Sequence, residues 1–491
     1  MSTPDRPEEM ASPPERTQDA SRIRVLGPGY RAVTLSVLGL TTVIAFETMA
    51  IATAMPKVTE DLAVGGAYGL AFSLMFTGQL LGNVIAGAST RASSPMLTLW
   101  TGISLFALGS VLAGSAPEFT VLLAGRLIAG LGAGLTIVAN YVVIGAIYPM
   151  TARPVIFGWL SAAWVVPSVV SPLLAALLAE NWGWRSVFLM VAPLTAIGSL
   201  GIRHAHRLLD SAPEPEYLDG IAADTVAPRL STFRTMVFGV TMTIGSGLFQ
   251  AGTSLPHLSR SVAIMCAVLG LVLLGLAVPP LLPPGTLRSR HGQPSVVLAR
   301  FLFMASFDGT IAFIPLMFIT LRDIELAAAG ALLALASLGW AAGSFLQSRP
   351  RMSHHGKLLI TTGAAMLSFA TFGILALDLV DGPMWAFAVS ITTVGLAMGI
   401  GVTATSVLAL ELAPRGGHAA ASSSLQIADV LGSVLGIATS SGVYAVTTSM
   451  DMAIADVFPL VWAVNALVAL PALLCAQRLS PRPLPESLRT S

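Results

Sequence analysis

Fourteen apolar runs organise this chain: 32–55, 67–88, 96–116, 119–146, 155–178, 184–203, 234–252, 261–281, 296–319, 326–346, 357–377, 384–411, 419–446 and 456–476. A helix needs about 20 residues to cross roughly 30 Å of hydrocarbon, and nearly all of these qualify. The weakest is 234–252, with four glycines and several hydroxyls. Only 10% of the 491 residues are charged and 54% are hydrophobic, against roughly 25% charged in soluble proteins. A soluble fold of this length could not hide so much apolar surface. The expected class is an all-α integral membrane protein.

Basic residues set the expected orientation. With the N-terminus inside, 21 Lys and Arg fall on the cytoplasmic side, Arg300 counted among them, and 4 fall outside: Lys57, Arg185, Arg260 and Arg322. Both termini are then cytoplasmic, in the cytoplasmic (inner) membrane. Residues 1–28, rich in Pro, Glu, Asp and Ser, read as a disordered tail. Residues 29–207 form a six-helix half, 208–232 a cytoplasmic linker, 233–283 an inserted two-helix hairpin, 284–480 a second six-helix half and 481–491 a short tail. The hairpin holds no internal charge and is expected to pack outside the transport core.

On this reading four charged side chains lie within the membrane: Glu47, Arg126, Asp308 and Asp429. Ionisable groups in hydrocarbon are costly and mark ion or substrate pathways. Glu47 precedes the Pro56 end of its span by nine residues, and Arg126 follows the Phe119 start of its own by seven. At 1.5 Å per residue both lie roughly 10–14 Å below the outer surface. Equal depth permits an ion pair, and two isolated buried charges would cost far more. The pair could be a static bridge or a proton-coupling site. Asp308 and Asp429 lie nearer the midplane, with no basic residue assigned to the membrane in their half. Phe307-Asp308 echoes Phe46-Glu47 at the first span of each half.

Several motifs resemble the major facilitator superfamily, and within it the fourteen-span drug:proton antiporter branch, over about residues 30–480. FETMAIATAMP (Phe46 to Pro56) resembles that branch's acid-bearing first-span motif, with Glu47 where Asp is usual. RLIAGLGAG (Arg126 to Gly134) fits an Arg-x-x-x-Gly-x-Gly pattern, with Ala129 replacing a common Gln. PSVVSPLLAA (Pro167 to Ala176) resembles the antiporter motif, and WGWRSVF (Trp182 to Phe188) the opening of span six. The 6+2+6 spacing agrees. One departure is the loop after span two, which keeps Gly87 and Arg91 of a gate signature but lacks its Asp. The resemblance implies two pseudo-symmetric halves with the site between them, and proton-coupled export of small molecules.

Candidate coupling residues are therefore Glu47, Arg126 and Asp308. Candidate substrate-binding residues are Asp308, Asp429, Gln426, Gln79, Asn83, Asn140, Tyr141, Met49 and Phe307. Interhelical hydrogen bonding explains the polar ones almost as well. Gly130 and Gly134, one turn apart, form a smooth packing face, and Pro167 and Pro172 a kinkable one. Gly87, Arg91, Gly130, Gly134, Pro167 and Pro172 are thus conformational or packing candidates. Three acids against Arg126 leave a charge of −2, which favours a cationic or neutral lipophilic substrate over an anion.

Other classes find little support. No Gly-x-x-x-x-Gly-Lys loop is present, since Lys357 precedes Leu358. The seven histidines map to loops or their edges, with no His-Glu-x-x-His and no Gly-x-Ser-x-Gly. Cys266 and Cys475 fall in apolar runs, so no disulfide and no metal is assigned. The expected partners are an amphiphilic small molecule, protons and the lipid bilayer, with no cofactor, no enzyme activity, no nucleic acid, and function as a monomer. The alternatives are proton-linked transport of a lipid or metabolite, and a transport-inactive membrane sensor.

Overall fold

Backbone groups in an apolar medium must bond within their own segment, and here they do so as helices. The structure, a computed structural model, describes residues 26–479 apart from 28, 64–66, 90–94, 149–152, 205–231, 256–257, 348–354 and 414–417. Arg91, both tails (except the described residues 26 and 27) and the 208–231 part of the linker lie outside the described residues.

The first half comprises α1 (Arg31–Asp61), α2 (Leu70–Ser89), α3 (Pro95–Gly114), α4 (Phe119–Ile147), α5 (Arg153–Asn181) and a sixth span broken into α6 (Arg185–Leu189) and α7 (Val191–Gly198). Two further helices follow, α8 (Thr232–Ser254) and α9 (Arg260–Ala277). The second half comprises α10 (Gln293–Ile311) and α11 (Ile314–Arg322), which share one span. It continues with α12 (Leu326–Gln347), α13 (Gly356–Leu379), α14 (Met384–Glu411), α15 (His418–Ser449) and α16 (Ile454–Gln477). Both broken spans carry a proline just after the break, Pro193 and Pro315, where a missing N–H and the ring's clash disfavour a continuous helix.

Thirteen segments among the described residues are long and apolar enough to cross a membrane, which makes this a multi-pass membrane protein. Large apolar side chains such as Leu97, Phe345, Phe369 and Trp385 stand exposed on the outside of the bundle, where lipid would cover them. The helix α8 is not among the thirteen, yet it is 23 residues long. Three of its polar residues face protein: Ser246, Gln250 and Ser254 are fully buried, and Gln250 donates to Thr77 of α2. On its other side Thr253 abuts Gly442 of α15. Met242 shares a core with Leu80 of α2 and Val434 of α15, so α8 lies across the seam between the halves. Its partner α9 instead exposes Ile264, Val268, Leu271 and Leu276.

Among the described residues, hydrogen bonds tie the halves together at two places. Tyr68 Oη donates to the Ala312 carbonyl at 2.9 Å, at the break between α10 and α11. The Ala327 amide donates to Glu180 Oε1 at 3.2 Å. Both lie at the end of the bundle opposite Arg31. Close by, a Cβ on Gly330 of α12 would come within 2.9 Å of the Pro172 carbonyl of α5.

Candidate transport site

In the first half the site is a sealed ion pair. Glu47 on α1 and Arg126 on α4 are 2% and 1% exposed, and the guanidinium donates to Glu47 Oε1. Arg126 Nε donates to the Ala71 carbonyl of α2 at 3.0 Å, and Phe188 lies 5.9 Å from the guanidinium. One arginine therefore joins three helices. Glu47 Oε2 is buried and accepts no hydrogen bond. What holds Arg126 in place is the packing of α4 on α2. A Cβ on Gly130 would lie 2.0 Å from the Met75 carbonyl, and one on Gly134 2.3 Å from that of Gln79. No other residue type lets the helices approach so closely.

The second half differs from the expectation. Arg300, assigned by its place in the chain to the cytoplasmic side, lies on α10 with its side chain only 10% exposed. It grips Asp429 of α15 with two nitrogens, Nε to Oδ1 and Nη2 to Oδ2, the latter at 2.9 Å. Its Nη1 reaches the Val402 carbonyl, Thr405 Oγ1 at 3.2 Å and Ser406 Oγ at 3.0 Å, all on α14. Asp429 thus has a basic partner in its own half, and Arg300 joins the four expected membrane-buried charges, making five among the described residues. Three acids against two arginines leave −1 instead of −2. The physical reason is helix length: α10 begins at Gln293, so Arg300 is two turns inside it and its long side chain reaches inward.

Asp308 is half-buried on α10 and accepts from Ser433 Oγ of α15. No cation bonds it among the described residues, and it lies within electrostatic reach of Asp429. From the other half, Tyr141 of α4 lies within electrostatic reach of both Asp429 and Arg300. Asp308, Asp429, Arg300 and Tyr141 therefore share one polar region, apart from Glu47 and Arg126.

The other candidates are dispersed. Gln79, Asn83, Gln426 and Met49 are half-buried, and Asn83 Oδ1 is buried without a partner. Asn140 is 1% exposed and neither of its amide atoms is hydrogen-bonded. Phe307 meets Trp340 edge-on at 5.1 Å. Pro167 accepts from Ser171 Oγ at 2.5 Å, within α5. Gly87 is exposed, with open space where a Cβ would lie.

Sequence reasoning missed Arg300, Ser433 and Asp61. The last receives Trp184 Nε1 at 2.9 Å and Arg185 Nη1 at 2.8 Å, which ties the WGWRSVF segment to the end of α1. For Arg300 a signal was present: Asp429 had no counter-charge.

A helical membrane bundle in two halves, with an acid and an arginine buried together in each, is the architecture of a solute transporter. The family model for the Major Facilitator Superfamily matches residues 37–437, and the chain belongs to that family. Among relatives, it is 31% identical over 188 residues to the MFS-type transporter ungB of Aspergillus violaceofuscus, covering 36% of this chain and 32% of that protein. It is 28% identical over 153 residues to the multidrug efflux pump SdrM of Staphylococcus aureus, covering 31% and 34%. The chain thus matches about a third of the length of each. The fold resembles that of the POT family transporter PepTSo, with a TM-score of 0.67 at 13% identity over 91% of this chain and 98% of that one. It also resembles a D-xylose–proton symporter, with a TM-score of 0.60 at 15% identity, covering 92% and 98%.

Proposed function

We propose that this transporter is a proton-driven antiporter that exports lipophilic or cationic small molecules across the cytoplasmic membrane, acting as a monomer with both termini inside. The observation that carries the reading is a buried acid–arginine pair in each half, with a third acid, Asp308, left without a cation. Glu47 is the coupling carboxylate. Arg126 holds it, and the unbonded Oε2 is the atom that would take the proton. Asp308 and Asp429, with Tyr141 facing them, form the polar wall of the substrate path, and their surplus negative charge suits a cation. Phe307, Trp340 and Met49 supply apolar surface, methionine being an adaptable one.

The bonds Tyr68 to Ala312 and Ala327 to Glu180 gather at the end opposite Arg31. With the N-terminus inside, that end is the outer one, so this conformation is closed to the outside. Kinship with an efflux pump supports export over uptake. Sealed vesicles holding the purified protein test the whole reading. An imposed pH gradient should drive a lipophilic monovalent cation against its own gradient and acidify the opposite side. Movement of that cation that ignores both the pH gradient and an added protonophore would refute proton antiport.

A further inference from the structure

We propose that the segment joining the inserted hairpin to the second half, residues 279–292, is a binding site for the phosphate headgroup of an anionic phospholipid. Away from the buried ion pairs, this segment forms a half-open cavity of about 230 Å³, lined by Pro279, Leu282, Pro283, Leu287, Arg288 and Arg290 among others. That volume exceeds the roughly 30 Å³ share of one water several-fold, so a phosphate and its ester oxygens have room. No acidic side chain lines it, and among the described residues neither arginine has an ion-pair partner. A third guanidinium, of Arg478 at the end of α16, reaches the carbonyls of Arg288 and Ser289 at 3.3 and 3.4 Å. Three arginines with no acid among the described residues on one small surface call for an anion, and forked guanidinium donors fit phosphate oxygens.

The backbone presents these side chains from a fixed frame. Gly285, Ser289 and Gly292 all have positive φ, at 90°, 47° and 86°. A serine holds that conformation only where its surroundings over-determine it. Here the Arg290 amide donates to the Gly285 carbonyl at 3.2 Å, and Ser295 Oγ to the Arg290 carbonyl at 2.7 Å. The Gly292 amide donates to the Arg478 carbonyl at 2.9 Å, which fastens the segment to α16.

Phosphate chemistry alone would also suit free phosphate. The surroundings favour a lipid. Leu287 is 61% exposed beside the two arginines, and Leu276, one turn before the cavity on lipid-facing α9, is 64% exposed. Charge and apolar surface therefore meet at the end of a membrane-crossing helix, the level at which headgroups lie. Basic clusters at that level attract anionic lipid.

The test uses the full chain carrying L287W as a reporter, in phosphatidylcholine vesicles containing a minor fraction of brominated lipid. Emission added by the reporter should be quenched several-fold more by brominated phosphatidylglycerol than by brominated phosphatidylcholine at equal mole fraction. That preference should vanish in R288Q/R290Q and should persist in excess inorganic phosphate. Equal quenching by the two lipids would overturn the proposal. So would a preference that survives R288Q/R290Q, which would reflect general surface charge, or one that free phosphate abolishes, which would mark a soluble-anion site. Should R288Q/R290Q fail to fold, R288K/R290K keeps the charge while removing the forked donors, and the preference should fall. An undiminished preference there would equally count against the site.

Discussion

Replacing Arg300 with Met offers the sharpest test of the second-half cluster. The substitution keeps an unbranched side chain about as long as the arginine's apolar stem and removes the charged head. Five contacts go, but their costs differ. Thr405 and Ser406 keep their bonds to the Val402 carbonyl at 2.7 and 3.1 Å, so no hydroxyl is orphaned. Almost all of the loss is the stranding of Asp429. Breaking a buried ion pair costs about 3–5 kcal/mol. Asp429 is 25% exposed, which lowers that figure because water reaches the carboxylate. The loss is also capped, since a stranded carboxylate can take a proton, at about 4 kcal/mol from an ordinary acid to neutral pH. We expect R300M to lose about 2–4 kcal/mol in reversible unfolding in mixed micelles, followed by tryptophan fluorescence. D429N removes the other charge, and the double variant should recover much of the loss, with a coupling energy of about 2–3 kcal/mol. Effects of the two single changes that add to within about 0.5 kcal/mol would show that the pair contributes nothing as a pair.

Three further outcomes follow from the proposed mechanism. E47Q should abolish gradient-driven transport in sealed vesicles while the protein stays folded, and E47D should retain part of it; full proton-driven export by E47Q would remove Glu47 from the coupling role. R126A should lose about 3–5 kcal/mol, since both partners are sealed from water, and R126A/E47Q should regain stability but not transport, as unfolding and vesicle assays on the same preparations will show. D308N should weaken export of monovalent cations much more than that of neutral molecules of similar size; equal losses in a paired efflux assay would leave Asp308 a relay or structural role.

The first-half pair was legible because depth can be counted from span ends, and Glu47 and Arg126 sit at matching counts. Arg300 escaped the same count. Starting its span at 296 leaves it near the edge, where the positive-inside rule claims every arginine. The helix in fact starts at Gln293, and seven residues at 1.5 Å place its Cα roughly 10 Å in. Sequence reports where a Cα lies, whereas a guanidinium acts several ångströms away. The weak span 234–252 is hidden for a related reason. Its hydroxyls and Gln250 lower its hydropathy, yet Ser246 and Gln250 are fully buried, Gln250 against α2, and only tertiary packing reveals that these two face protein. Asn140 shows the reverse: helical spacing singles it out, while nothing in the chain says that both its amide atoms would lie unpaired.

The two charge clusters are not copies of one another, despite the pseudo-symmetric halves. In the first half the pair joins the first and fourth spans, α1 and α4. In the second half Arg300 and Asp429 join the first and fifth, α10 and α15. Phe307-Asp308 echoes Phe46-Glu47 in sequence, but Asp308 bonds a serine where Glu47 bonds an arginine. Exposure separates them too. Glu47 and Arg126 are 2% and 1% exposed, whereas Asp429 is 25% exposed in the same conformation. Water therefore reaches the second-half cluster while the first is shut. On the proposed mechanism the two sites exchange with solvent at different stages: Asp308 and Asp429 now, Glu47 only after α1 and α4 part or the halves move. Tyr141 sits on α4, the helix that carries Arg126, and stands near Arg300 and Asp429. A shift of α4 would move it against both. That one helix gives the sealed pair and the wet one a physical connection, without any path of contacts running the length of the bundle.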